Sequence, residues 1–309
     1  MKRVAAVDCG TNSIRLLIAQ VGGDGGLVEL NRRMQIVRLG QGVDATGRLA
    51  PEALERTFAA AREYAASIAA ADVDGVRVVA TSATRDASNR EEFEVGMTEI
   101  FGVAPEVVPG EVEAALSFAG ATGGLAAAGV AAPYLVVDIG GGSTEFVLGT
   151  EAPTAARSVN VGCVRMRERW LTEDPPTAEQ IEAAIADIDA AIADAAAVVP
   201  LAEAASLIGV AGTVTTLTAI ALGLQTYDPD AIHRARVPAA KVRGVAMRLL
   251  SLRRDERAAI PAMHPGRADV IAAGALVLDR VLHAVGGADL VASEHDILDG
   301  IAASVLTRG

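Results

Sequence analysis

Positive charge is in short supply in this chain of 309 residues. Lysine and arginine together number 27 against 39 aspartates and glutamates, a formal net charge of −12. That balance excludes a general binder of nucleic acid or of anionic membranes, and a polyanionic substrate would require a cleft that is basic locally. Cysteine is nearly absent. Cys9 and Cys163 form no C-x-x-C pattern, so no disulfide framework is expected, only small buried thiols in a reduced, cytoplasmic protein. The four histidines, His233, His264, His283 and His295, show no metal-ligand spacing. His295-Asp296 spells a dipeptide of metal phosphohydrolases, but the further histidines and aspartates of such a site are missing. There is no G-x-x-x-x-G-K-[ST] and no G-x-S-x-G. Aromatic residues make up 3%. The opening MKRVAAVD has too short an apolar run for a signal peptide. Two stretches lack charge, Ala114–Val137 and Ala204–Tyr227. Glycines interrupt both, and the second is rich in threonine, so buried strand-plus-helix segments fit them better than membrane spans.

What the chain does have is hydrophobic content, 51% and much of it alanine, enough for the cores of about two domains. It also has a distinctive centre, Leu135–Gly149, LVVDIGGGSTEFVLG. Two runs rich in Val, Leu and Phe read as strands, joined by a turn of three glycines in which backbone N–H groups can approach an anion. Asp138 and Glu145 set a carboxylate on each side of that turn. A phosphate on the N–H groups, with a Mg²⁺ held against it by carboxylates, is the chemistry this suits. A simple hairpin needs only one or two glycines and no acid pair. The same pattern occurs earlier. Val4–Ile18 overlays on Tyr134–Leu148 without a gap at a constant offset of 130, placing Asp8 on Asp138, Gly10 on Gly140 and Ser13 on Ser143. Such a repeat predicts two similar domains, each opening on a strand–turn–strand that faces a shared cleft.

The rest of the chain alternates strand and helix patterns. Leu27–Leu39 reads as a strand. Pro51 opens an amphipathic helix over 51–71, with Leu54, Phe58, Ala61, Ala65 and Ile68 at helical spacing. Val76–Ala80 reads as a buried strand, TSATRDASN as a polar loop, a helix starts near Asn89, Val103–Val108 is a strand, and 109–120 turns into a helix. In the second half, Thr177 and Gln180 form a capping box before a helix lined by Ile181, Ile185, Ile188 and Ile192. Ala205–Gly209 is a strand leading into a threonine-rich helix, Arg267–Val285 a helix, Asp289–Ala292 a strand and Asp296–Leu306 a terminal helix. The fold class is α/β with sheets of mixed direction. The boundaries expected are 1–125 and 126–309, with the terminal helix near 296–307 returning to the first domain.

Three further stretches bear on chemistry. Gly209-Val-Ala-Gly212-Thr213 follows a strand and opens a helix, a place where anions bind or where strand and helix pack closely. Glu111 and Glu113 lie two apart at a helix start, so at most one faces a site. A glutamate beside a phosphate site can position or deprotonate water. Arg85, Arg90, Arg165, Arg167, Arg169 and Arg267 lie near glycine turns, strand ends or helix starts, where guanidinium groups bind phosphate in a bidentate way.

These residues carry a resemblance. VVDIGGGSTEFVLG resembles the signature of the exopolyphosphatase/guanosine pentaphosphate phosphohydrolase family, within the actin/sugar kinase/Hsp70 superfamily, in its short two-domain form. DCGTNSIRLLIA, ATSATRDASN, PGEVEAALSF, VGCVRM, GVAGTVTTL and SEHDILDGI resemble further family stretches in the family's order. The resemblance implies two ribonuclease-H-like domains with the active site between them. It implies Glu113 as the base that activates water, with Asp138 and Glu145 serving Mg²⁺ and the water. Asp8, Gly10, Thr11, Asn12 and Ser13 would form one phosphate loop. Arg85, Gly140, Gly141, Gly142, Ser143, Gly212 and Thr213 would hold phosphates as well. Where the family usually shows Glu-Glu-Ala-Arg, this chain has Val112-Glu113-Ala114-Ala115, which implies a weaker grip there. The expected activity is Mg²⁺-dependent removal of the terminal phosphate of inorganic polyphosphate. The alternatives are guanosine pentaphosphate as substrate, or a sugar kinase or ATP-binding module of the same superfamily. No nucleic acid and no membrane is expected as a partner, and a homodimer is the candidate assembly.

Overall fold

The computed structural model describes residues 2–23 and 26–307. The chain divides into two compact units, Met1–Gly120 with Ile297–Gly309, and Ala121–Asp296.

In the first unit, β1 (Arg3–Cys9) and β2 (Ser13–Val21) form the expected hairpin, and β3 (Leu27–Ile36) adds to it antiparallel. Then come α1 (Val43–Thr46), α2 (Pro51–Ala71), β4 (Gly75–Ala80), α3 (Ser82–Asp86), α4 (Arg90–Phe101), β5 (Glu106–Val107) and α5 (Gly110–Thr122). The sheet order is β3-β2-β1-β4-β5, with β4 parallel to β1 and β5 parallel to β4. Alternation along the strands separates two faces. Ala5, Val7, Cys9, Ile14, Leu16 and Ile18 pack with Leu54 and Tyr64 of α2 and Phe93 and Met97 of α4. Val4, Ala6, Leu17 and Ala19 pack on the opposite face with Leu116 of α5. Pro51 stands at the first position of α2, whose bounds match the sequence reading. Two readings need correction. TSATRDASN is not all loop, because Ser82–Asp86 winds into one helical turn on the end of β4, and Val103–Val108 yields only a two-residue strand at the edge of the sheet.

The second unit repeats the plan: β6 (Tyr134–Ile139), β7 (Thr144–Gly149), β8 (Pro153–Val159), α6 (Cys163–Arg169), α7 (Ala178–Ala196), β9 (Ser206–Val210), α8 (Ala211–Leu222), α9 (Pro229–Ile232), β10 (Arg236–Val237), α10 (Ala239–Ser251), α11 (Arg254–Ala258), α12 (Ile271–Ala284) and β11 (Leu290–Ala292). Its sheet order, β10-β11-β9-β6-β7-β8, contains the order of the first sheet strand for strand. The registers repeat too. Asp8 lies beside Arg15 and Val79, and Asp138 beside Glu145 and Val210. Duplication is thus visible in the pairing as well as in the letters, and each unit has the ribonuclease-H-like plan. The Thr177 hydroxyl caps α7 by accepting from the Gln180 N–H, but the Gln180 side chain turns to Glu173 and Thr172, so only half of the capping box forms.

The last helix, α13 (Ile297–Thr307), buries Ile297, Leu298 and Ile301 on the Val4/Ala6 face of the first sheet. Two ion-pair and hydrogen-bond ties flank it, Arg32 to Asp299 at 2.6 Å and Arg77 to the Ser304 hydroxyl at 2.6 Å. Gly300 lets α13 approach α5 closely, since a Cβ there would meet the Leu116 carbonyl oxygen. Each charge-free stretch divides between a helix, a strand and a turn or loop, and among the described residues no helix is long and apolar enough to cross a membrane.

Candidate active site

In each unit the chemistry-bearing residues gather at the carboxyl ends of parallel strands, where open α/β sheets bind ligands. In the second unit the centre is the β6–β7 turn. Gly140 N–H donates to Ser143 O at 3.0 Å, the same bond that Gly10 N–H makes to Ser13 O at 3.0 Å in the first hairpin. The carbonyls of the glycine turn are all engaged on one side. Cys163 N–H donates to Gly140 O (3.0 Å), Val164 and Arg165 N–H donate to Gly141 O (2.8 and 3.1 Å), and Arg165 Nε donates to Gly142 O (2.7 Å). In a trans peptide the C=O and the following N–H point opposite ways. The N–H groups of Gly141, Gly142 and Ser143 are therefore turned away from α6. Successive N–H groups presented in this way make an anion-binding nest.

The first unit reaches the same result with a different backing. Gly40 N–H donates to Thr11 O (2.8 Å), and Val37 and Arg38 N–H donate to Asn12 O (3.0 and 2.9 Å). This turns the N–H groups of Asn12 and Ser13 away from the 37–40 segment. The buried Asn12 Nδ2, and the buried hydroxyls of Ser82 and Thr84 on α3, have no hydrogen-bond partner among the described residues. Buried donors of this kind ordinarily have an acceptor, and a phosphate oxygen is one.

The two hairpins differ in charge. Asp8 is 3% exposed, and its Oδ2 accepts from Arg15 through Nε at 2.9 Å and through the terminal NH2 nitrogen at 2.7 Å. At the matching place Asp138 (6% exposed) faces Glu145 (1% exposed), and the Glu145 Oε1 accepts from the Ser158 hydroxyl at 2.7 Å. Directly opposed strand residues share a face, and like charges there repel. This row of buried acids suits a cation, whereas the first row already contains one. Among the described residues no group of three or more His, Cys, Asp or Glu could form an all-protein metal cage. Mg²⁺ needs only one or two carboxylates, completed by water and substrate phosphate, so the Asp138–Glu145 pair fits that ion.

Glu113 and Arg85 form a pair of their own in the first unit. Arg85 NH1 donates to Glu113 Oε2 at 3.0 Å and to Val108 O at 2.8 Å. Glu113 is 8% exposed, while Glu111 lies outside on the helix surface, as their spacing requires. Val108 N–H donates to Ala80 O, and Thr81 N–H to Cys9 O, so the Asp8 hairpin, α3 and α5 all start from the same end of the sheet.

The chain matches the model of the Ppx/GppA phosphatase family over residues 17–308. It belongs to that family. It is 50% identical to Exopolyphosphatase 2 of Mycobacterium tuberculosis, over 99% of this chain and 99% of that protein. A crystal structure of an exopolyphosphatase-like protein superposes with a TM-score of 0.94 at 48% identity, covering 98% of this chain and 97% of the other. An exopolyphosphatase from Cytophaga hutchinsonii superposes with a TM-score of 0.87 at 25% identity, over 99% and 98%.

Within this family member, Gly212 and Thr213 lie in the first turn of α8, and the guanidinium of Arg267 packs on the glycine. A Cβ on Gly212 would meet the guanidinium of Arg267. Arg267 therefore lies flat against the start of α8, bringing a cation to a helix N-terminus. Ala211, just before, adopts a left-handed φ of 68°, a strained value for a residue with a Cβ. Thr213 and Cys163 pack together against Gly274. Burial raises the pKa of Cys163, and burial with the charge of Asp8 raises that of Cys9 well above its ordinary value. Both thiols are free, buried and held protonated, which removes them as nucleophiles. The remaining arginines serve the scaffold. Arg90 pairs with Glu94, Arg169 with Asp187, and Arg167 reaches Thr172 O. The sequence named Arg267 among the candidate phosphate ligands but not the glycine it packs on, and it did not single out Ser158, whose only signal is a strand register that pairing reveals.

Proposed function

We propose that this protein is an exopolyphosphatase that removes the terminal phosphoryl group of inorganic polyphosphate with water and Mg²⁺. The observation that carries the reading is the buried Asp138–Glu145 pair beside a glycine turn whose N–H groups face away from α6. The named relatives, half or nearly half identical along the whole chain, support it. In this reading the N–H groups of Gly141–Ser143 and of Asn12–Ser13, with Thr11, Gly212, Thr213 and Arg267, bind phosphate oxygens, while the N–H groups of Gly10 and Gly140 close the two turns on Ser13 O and Ser143 O. Arg85 holds the carboxylate of Glu113, and Glu113 accepts the proton of the attacking water. Asp138 and Glu145 would hold Mg²⁺, which when bound neutralises charge on the transferring group. The donors are fixed by backbone bonds before substrate arrives, which is how electrostatic stabilisation costs no reorganisation during the reaction. The carboxylate of Asp8 is paired with Arg15 across the first hairpin.

The test is phosphate release from polyphosphates of defined length, with and without Mg²⁺, against guanosine pentaphosphate and against ATP with an added sugar. Polyphosphate is expected to be the preferred substrate. A clear preference for guanosine pentaphosphate, or sugar-dependent ATP consumption, would replace this reading. Glu113→Gln is expected to fold normally and lose roughly 10²–10⁴ in kcat. Near-normal turnover by the folded variant would remove Glu113 from its role.

A further inference from the structure

The pairing of three strands sets four residues in one row across the second sheet: Val210, Asp138, Glu145 and Ser158. The duplicated row of the first sheet is Val79, Asp8, Arg15 and Met34. The two rows agree in their valine and aspartate and differ at the next two places, Glu145 against Arg15 and Ser158 against Met34. Arg15 pairs with the Oδ2 of its neighbour Asp8 within the row, and the side chain of Met34 beside it has no donor. Glu145 instead faces an acid on one side and, on the other, a hydroxyl that donates to its Oε1 at 2.7 Å. A glutamate side chain has three rotatable bonds, and its freedom must be removed for the carboxylate to meet a cation in one orientation. Packing restricts the stem of a side chain that is 1% exposed. The hydrogen bond from Ser158 fixes the plane of the carboxylate at its tip.

We propose that Ser158 is a positioning residue that orients Glu145 for divalent metal. The inference rests on the reading of Asp138 and Glu145 as the Mg²⁺-binding pair. Ser158 sits on β8, the outermost strand on its side of the sheet, and acts through Glu145 rather than on substrate. Partners that orient metal-binding carboxylates typically contribute 10–100-fold to metal affinity. A hydroxyl, whether of serine or threonine, supplies the same donor, so the role belongs to the O–H and not to the shape of serine.

Binding of Mn²⁺, as a spectroscopic substitute for Mg²⁺, is measured by electron paramagnetic resonance on the whole protein without polyphosphate. Wild type, Ser158→Ala, Ser158→Thr and Glu145→Gln are compared, each checked for an unaltered thermal unfolding curve. Ser158→Ala is expected to weaken Mn²⁺ binding about 10–100-fold, and Ser158→Thr to restore it. The Mg²⁺ concentration for half-maximal phosphate release should rise by the same factor, with kcat at saturating Mg²⁺ returning toward wild type. Weak binding in Glu145→Gln together with wild-type binding in Ser158→Ala would overturn the role of Ser158 and leave the metal pair standing. Wild-type binding in Glu145→Gln would overturn the metal pair itself, and the role of Ser158 with it.

Discussion

Gly162 offers a sharp test of how the glycine turn is held. Its φ of −151° and ψ of 167° are extended values open to alanine, so Gly162→Ala carries no backbone penalty. The whole effect is steric. A Cβ would stand 2.5 Å from both the carbonyl carbon and the oxygen of Gly141, and 2.7 Å from the nitrogen of Gly142. Carbon atoms pack comfortably at about 3.5–4.0 Å, so either α6 or the turn must retreat by about 1 Å. No flexible side chain can yield instead, because all three contacts are backbone. The retreat lengthens the bonds from Cys163, Val164 and Arg165 to the turn carbonyls, which set the direction of the opposed N–H groups. Overpacking of this kind costs about 1–3 kcal/mol. At about 2–4 °C per kcal/mol for a unit of this size, Tm should fall by roughly 2–12 °C. A misplacement of about 1 Å in a positioning element costs on the order of 10²-fold in rate. Phosphate release at saturating substrate and differential scanning calorimetry give the two numbers. A variant with wild-type Tm and more than half the wild-type kcat would refute the claim that α6 backs the turn by direct contact.

Gly244 supplies the contrast, since a Cβ there meets nothing within 4 Å in the middle of α10; Gly244→Ala should stabilise by about 0.5–1 kcal/mol in urea unfolding and leave activity alone. Arg257 is 3% exposed and donates to the carbonyls of Ala268, Leu249 and Leu252 and to Asp174 at 2.6 Å, so Arg257→Met should cost about 3–5 kcal/mol, read from the urea midpoint. Burial, with His295 and Arg234 nearby, lowers the pKa of His233 from 6.5 to about 4, and its Nδ1 accepts from the Glu294 N–H. The unfolded chain then binds a proton that the folded chain refuses, so this contribution is present above pH 6.5 and is lost as pH falls from 6.5 toward about 4. Tm measured across that window should show a shallower acid slope in His233→Gln, and an unchanged slope would contradict the assignment.

What the linear chain determined by itself was local and repeated. The two hairpins, the glycine turn, the flanking acids and α2 were legible because each arises from residues close in sequence, through strand alternation, turn chemistry and helical spacing. The constant offset between the hairpins carried over to the strand pairing, because equal patterns of buried residues select equal registers. The sites where reading failed depend on neighbours distant in the chain. α3 forms against the expectation for a polar segment because the end of β4 seats it, and β5 shrinks because only Glu106 and Val107 find β4 to pair with. Tertiary structure alone decided which acid meets which partner. The two hairpins look alike as strings, yet one aspartate is neutralised by Arg15 and the other stands beside Glu145 and, beyond it, Ser158. It also laid Arg267 on Gly212 and joined Arg85 to Glu113. Charge and hydrogen bonding act through space, so a sequence can name the groups that a site requires while the fold assigns their partners.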